Sequence, residues 1–208
     1  MTSTYFDERA KDWDANPQRV ERARITAQAI REAVPLRPGM TALELGCGTG
    51  LLSFALQPDF ASITLADTSQ GMLDVLSEKI KTAGVDNMHP LRLDLACDPL
   101  PTSRFDVIYS LMTMHHIPST DQVLRQCHAL IVPGGWLCIA DLEKEDGSFH
   151  QDTPDFDGHD GFDRDALQGK VEAAGFENVH FSTVFFVRKQ IDAVEKAFPM
   201  FLMTAQRA

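Results

Sequence analysis

Residues 43–50 read Leu43-Glu44-Leu45-Gly46-Cys47-Gly48-Thr49-Gly50. A short apolar run, Thr41–Leu45, leads into three alternating glycines, and Gly50–Leu56 behind them has a helical pattern. Glycine carries no Cβ, so the chain can turn sharply there and let a ligand approach its backbone. The helix start behind the turn presents unpaired N–H groups and a partial positive charge. Such a place suits an anion, whether a pyrophosphate or a carboxylate. A turn of this kind also serves as a plain strand-to-helix connection, so the glycines need context.

Outward from the turn, two periodicities alternate. Ser62–Ala66, His89–Leu93, Asp106–Tyr109 and Trp136–Ala140 are further β-type runs, expected to be apolar on both faces as a buried parallel sheet requires. Helical stretches lie between them: Gly71–Ala83, with Met72, Val75, Leu76 and Ile80 on one face, and Asp121–Leu130. Strands alternating with helices predict right-handed βαβ units and a doubly wound, mainly parallel α/β fold. Ahead of the first strand, Pro17–Val34 reads as a helix with Val20, Ala23, Ala27, Ile30 and Val34 on one side, stopped by Pro35, Pro38 and Gly39. After the fifth strand, Glu143–Asp165 is a long polar loop, of a length that is often functional. Asp163–Ala174 reads as a helix, and Val179–Val187 and Phe198–Thr204 as strands. The reading is one domain over residues 1–208, with 1–35 as a leading helical segment.

Position supports the glycine turn. Asp67 ends the second strand just over twenty residues beyond it, where an acid faces the crevice and can accept both hydroxyls of a ribose. Asp94 ends the third strand, where an adenine amine would lie. A nicotinamide-dependent oxidoreductase would show G-x-G-x-x-G, but here the third glycine, Gly50, comes one residue early.

Taken together, these segments resemble the class I S-adenosylmethionine-dependent methyltransferases. The run Leu43–Gly50 is similar to that family's first motif. Asp67-Thr68-Ser69-Gln70-Gly71-Met72-Leu73 resembles the segment that follows, and Arg92-Leu93-Asp94-Leu95 its adenine-contacting stretch. Phe105-Asp106-Val107-Ile108-Tyr109-Ser110 resembles its fourth strand, and Leu130-Ile131-Val132-Pro133-Gly134-Gly135 the turn before the fifth. The resemblance covers residues 6–141 well and the rest more loosely. It implies S-adenosylmethionine as cofactor and a seven-stranded sheet in the order 3-2-1-4-5-7-6, with only strand 7 antiparallel. It implies roles too. Gly46, Cys47 and Gly48 would line the methionine part, and Asp67 and its neighbour Thr68 the ribose. Asp94, the Leu95 N–H and Met72 would hold the adenine. Ser110 would sit beside the methionine moiety, and Glu44 would order the glycine loop or meet the cofactor's amine indirectly.

Methyl transfer is an in-line displacement from a sulfonium, so the protein supplies mainly alignment and exclusion of water. A protonated nucleophile can also need a base. His115 and His116, in the loop after the fourth strand, are the candidate bases, or else scaffold that holds the loop. His150 and His159 share the acidic loop with Asp152, Asp155, Asp157 and Asp160, without tight ligand spacing, so no metal is expected. That loop reads as solvated, or as a substrate rim favouring a cation or a neutral molecule. Tyr5, Phe6 and Trp13 read as a lid or as packing, and a Phe6-Asp7-x-x-Ala10-x-x-Trp13-Asp14 pattern like that of small-molecule methyltransferases favours the lid.

The net charge is −11, from 30 acids against 19 bases, which disfavours DNA and anionic membranes. The Asn/Asp-Pro-Pro-Tyr motif of amino-DNA methyltransferases is replaced here by Ser110-Leu111-Met112-Thr113. No apolar run approaches the length of a membrane span, and Met1–Trp13 has no apolar h-region, which points to the cytoplasm. Cys47, Cys97, Cys127 and Cys138 form no metal-type pair and read as reduced thiols. The expected partner is a small-molecule methyl acceptor. A non-catalytic cofactor-binding subunit, or a protein or RNA methyltransferase, is the alternative. No feature of the sequence fixes an oligomeric state.

Overall fold

The computed structural model describes residues 3–153 and 156–208; Met1 and Asp155 lie outside them. Seven strands form one sheet in the order β3-β2-β1-β4-β5-β7-β6. They are β1 Thr41–Leu45, β2 Ser62–Asp67, β3 Met88–Arg92, β4 Phe105–Leu111, β5 Ile131–Leu142, β6 Phe176–Ile191 and β7 Val194–Arg207. The first five run parallel, and β7 runs antiparallel to both β5 and β6.

Successive residues of each central strand feed two different cores. Ala42, Val107, Cys138 and Leu202 pack on one face against α2 (Pro17–Ala33), α3 (Leu51–Leu56) and α4 (Gln70–Ala83). Leu43, Ile108, Ile139 and Met203 pack on the other against α5 (Thr120–Leu130) and α6 (Arg164–Ala173). This alternation is the period of two that a pleated strand imposes, here apolar at both phases because both faces are covered. Burial of each such side chain contributes about 1.5–3 kcal/mol.

Caps fix the helix starts. The Asn16 side chain accepts from Gln18 N ahead of Pro17, Ser69 Oγ accepts from Met72 N, and Asp163 accepts from Ala166 N. Along α2 and its C-cap, Ala23, Ala27, Ile30 and Val34 are buried as expected, but Val20 is 44% exposed. Strand β3 also departs from expectation. It is the sheet's edge and most of it faces solvent, which is where Pro90, lacking an N–H, is tolerated. Among the described residues, no helix is long and apolar enough to cross a membrane.

The leading segment consists of α1 (Ser3–Arg9) and a 3-10 turn, Ala10–Ala15. Two carboxylates pin it. Asp7 accepts from Ser69 Oγ at 2.6 Å and Gly71 N at 2.8 Å, at the start of α4. Asp14 accepts from Thr49 Oγ1 at 2.5 Å, in the glycine turn, and pairs with Lys79 at 2.6 Å. The segment therefore lies across the C-terminal ends of β1 and β2.

Candidate functional site

At those strand ends lies a cleft of about 330 Å3. Its walls bring together Glu44, Gly46, Cys47, Gly48, Asp67, Thr68, Met72, Asp94 and His116, all singled out from the sequence. The glycine turn folds as its composition demands. Gly46, Gly48 and Gly50 have φ of +62°, +52° and +80°, a region costly for residues with a Cβ. At Gly46 a Cβ would also stand 2.2 Å from the Thr113 side chain, so this glycine admits the loop after β4.

Asp67 is more than an open acceptor. Its Oδ2 accepts from Gly48 N at 2.7 Å and its Oδ1 from Ser69 N at 2.8 Å. The carboxylate thus holds the glycine turn to the start of α4, with further lone pairs toward the cleft. Burial raises its pKa, against those amide hydrogen bonds. Glu44 is buried at the cleft floor, and Ser53 Oγ donates to it; Ser53 also lies 2.7 Å from the Tyr109 hydroxyl. Burial pushes Glu44 up to about 8. Met72 forms an apolar wall, and Asp94 Oδ1 accepts from Ala96 N.

Leu95, expected to contribute its backbone N–H, buries its side chain in the core between the cleft residues Asp94 and Ala96. One expected cleft residue is placed differently. Ser110 is buried within β4 and does not line the cleft. The strand runs on to Leu111, beyond the expected end at Tyr109, so Leu111, Met112 and Thr113 form the wall instead.

A second cavity, of about 230 Å3, adjoins the first. Phe6, Trp13, Arg19, Arg22, Met112 and His116 line both. Met112 holds φ +55°, a left-handed conformation that is uncommon outside glycine and clusters at functional walls. The charged residues of the second cavity are Arg19, Arg22, Arg188 and Lys189; among the described residues no carboxylate lines it. Arg19 stacks its guanidinium 3.8 Å over the Trp13 ring. The Arg22 Nε is buried without a hydrogen-bond partner, and burial brings its pKa down to about 10.

The histidines divide. His115 turns inward, with Nδ1 2.5 Å from Asp141 Oδ1, and does not reach the first cleft. His116 faces both cavities, and burial, with His115 and His150 beside it, pushes it down to about 2. The acidic loop folds onto this turn. His159 N donates to His115 O at 2.7 Å, and Gly158 approaches so closely that a Cβ would stand 2.2 Å from the same oxygen. His150 joins His115 and His116, whereas His159 packs on Phe162 and Asp160 pairs with Lys144. The loop is therefore not a purely solvated rim, and what it brings to the cavity is Phe149, His150 and Thr153 rather than its acids.

A family model described as a methyltransferase domain matches residues 43–137, from the glycine turn into β5. Over that span the chain carries a methyltransferase domain, similar to those of class I S-adenosylmethionine-dependent methyltransferases. It is 33% identical over 121 residues to an uncharacterized methyltransferase of Schizosaccharomyces pombe, covering 55% of this chain and 43% of that one. It is 27% identical to the ubiquinone/menaquinone biosynthesis C-methyltransferase of Shewanella sediminis, over 74% of this chain and 72% of that protein. A solved SAM-dependent methyltransferase of Aquifex aeolicus shares the fold, with TM-score 0.68 at 20% identity, over 97% and 98% of the two chains. The matches span 43% to 55% of the length of several curated relatives. Arg19 and Arg22, on α2, and Met112 carry no signal in the sequence of facing the cavities. Arginines on an amphipathic helix read there as its solvated side.

Proposed function

We propose that this methyltransferase binds S-adenosylmethionine in the first cleft and methylates a small, anionic molecule in the second. The observation that carries this reading is the shared wall: two cavities meet at Met112 and His116, with carboxylates, among the described residues, lining only the first and Arg188 and Lys189 only the second. The first cleft fits the cofactor on its own chemistry. It offers a glycine cradle open to a ligand, the Asp67 carboxylate for a ribose diol, Asp94 for an exocyclic amine and Met72 for a ring face. When bound, the cofactor supplies an electrophilic methyl on a sulfonium. The chain's residues then bind, orient and exclude water. Phe6 and Trp13 roof both cavities as a lid. Arg22 and Lys189 meet the acceptor's anionic group, and His116 stands on the wall that the two cavities share.

A cavity of about 230 Å3 suits a compact metabolite rather than a folded protein or an RNA. The relative from Shewanella sediminis, named for quinone biosynthesis, agrees with a small acceptor. The overall charge of −11 disfavours DNA, and the four free cysteines fit a reducing cytoplasm.

Calorimetric titration with S-adenosylmethionine, its demethylated product and NAD tests the cofactor. Binding of the first two near micromolar strength, and none of NAD, is expected. Radiolabelled methyl transfer to a fractionated metabolite extract then tests the acceptor. Label appearing only in protein or RNA overturns the small-molecule reading.

A further inference from the structure

The neighbours His115 and His116 and, from a later loop, His150 converge on the floor of the second cavity. A ring nitrogen from each lies within 4.8 Å of the other two. Nε2 of His115, Nδ1 of His116 and Nδ1 of His150 are all buried without a hydrogen-bond partner. An orphaned buried nitrogen is costly, and three facing each other need a reason. Imidazoles cannot all satisfy one another, because each neutral ring has a single N–H.

We propose that these three histidines bind a divalent transition metal of the zinc class, leaving one coordination position open to the second cavity. The donor set is all nitrogen, which suits zinc and its neighbours and not magnesium or calcium. Three protein ligands and an open fourth position are the pattern of reactive zinc sites. Asp141 completes the arrangement. It is buried, and its Oδ1 accepts from His115 Nδ1 at 2.5 Å and from Leu142 N at 2.7 Å. A carboxylate behind a ligating histidine fixes the tautomer, leaving Nε2 free to bind, and raises the ring's basicity. Nitrogens about 2.0–2.1 Å from zinc stand roughly 3.4 Å apart in a tetrahedron, so the widest pair must close by roughly 1.4 Å. His150 sits in a loop and can supply that movement, its ring stacked on Phe156 at 3.8 Å.

The open position faces the cavity assigned above to the acceptor, so the ion would hold an acceptor oxygen and favour its deprotonated form. That role rests on the proposed function; the binding of the metal does not. Purified protein stripped with a chelator should take up one equivalent of Zn2+ or Co2+, at micromolar strength or better. Bound Co2+ should show the intense visible absorption of a low-coordinate nitrogen site. His150→Ala should weaken binding at least tenfold and abolish the band, with S-adenosylmethionine affinity unchanged, since His150 lies outside the first cleft. Asp141→Asn, which keeps the shape, should weaken Co2+ binding about 10–100-fold. Binding no tighter than millimolar, or a band that survives His150→Ala, overturns the site. The stripped protein is also titrated with S-adenosylmethionine. Cofactor binding without metal binding sinks only this inference; metal binding without cofactor binding sinks only the proposed function.

Discussion

The two cavities share a wall and differ in charge. Glu44, Asp67 and Asp94 face the first, while Arg188 and Lys189 face only the second, with Arg19 and Arg22 on the boundary. On the function proposed above, Asp67 and Asp94 would draw a cofactor bearing a sulfonium and an ammonium to the first, and an anionic acceptor would be drawn to the second. Charge would thus sort two small ligands in adjoining space, inside a chain whose total charge is −11. Total charge speaks to what the surface repels at long range; it says nothing of a cavity lined by four cations.

The division can be broken at several points. The largest effect is expected from Asp67→Ala. Charge-assisted hydrogen bonds contribute about 1.5–3 kcal/mol each, so loss of two to a ribose lowers cofactor affinity at least about a hundredfold. The variant also frees Gly48 N and Ser69 N, which adds disorder to the cradle. Calorimetry checks it, and unchanged affinity would place the ribose elsewhere.

Next comes Arg22→Met, which keeps the stem and removes the charge. The KM for an anionic acceptor should rise about tenfold, while S-adenosylmethionine affinity moves less than about twofold. The variant should also melt higher. Arg22 has its folded pKa depressed to about 10, so at neutral pH its charged form costs stability that methionine does not. A lower melting temperature would mean that the guanidinium has a partner on folding.

Glu44 gives a smaller, pH-dependent signature. Its folded pKa lies above the ordinary value, at about 8. Its contribution is fully present below the unfolded pKa near 4.5 and is lost as pH rises through 8. Melting temperature should therefore fall between pH 5 and 8, and Glu44→Gln should flatten that slope. About 1 kcal/mol corresponds to a shift of about 2–4 °C in a domain of this size. Parallel slopes for the two proteins would show that Glu44 is ionised throughout.

The smallest effect sharpens the lid. A Cβ at Gly71 would stand 2.8 Å from Asp7 Cα, so Gly71→Ala should push the leading segment away without touching a cleft residue. Cofactor affinity should drop about three- to fivefold, and amide exchange over residues 3–15 should speed up, while the melting temperature holds because alanine favours the helix. An unchanged exchange rate would mark the segment as already frayed.

These two cavities were unequally legible in the sequence. Residues 43–94 carry half of the first cleft in one stretch, with glycines and acids at strand ends that only a few folds use. The second draws on residues 5–22, 112–116, 149–153 and 187–189, and nothing in any one stretch announces the others. His150 was visible in the acidic loop, but its convergence with His115 and His116 depends on the tight approach of Gly158. The sheet order followed from the family resemblance, and the existence of all seven strands from periodicity. Strand ends did not. The hairpin between β6 and β7 turns at Asp192-Ala193, both with positive φ, where an Asn-Gly would have signalled the turn. Strand β5 begins early, at Ile131, because Gly135 lets it pass within contact of Asp106.

The leading segment carries a kinetic consequence. Phe6 and Trp13 line both cavities, and Asp7 and Asp14 anchor their segment to the glycine turn and to α4. If that segment is the lid proposed above, spent cofactor and methylated product would leave when it opens. Each catalytic cycle would include one opening event, and no chemistry, however fast, could outrun it.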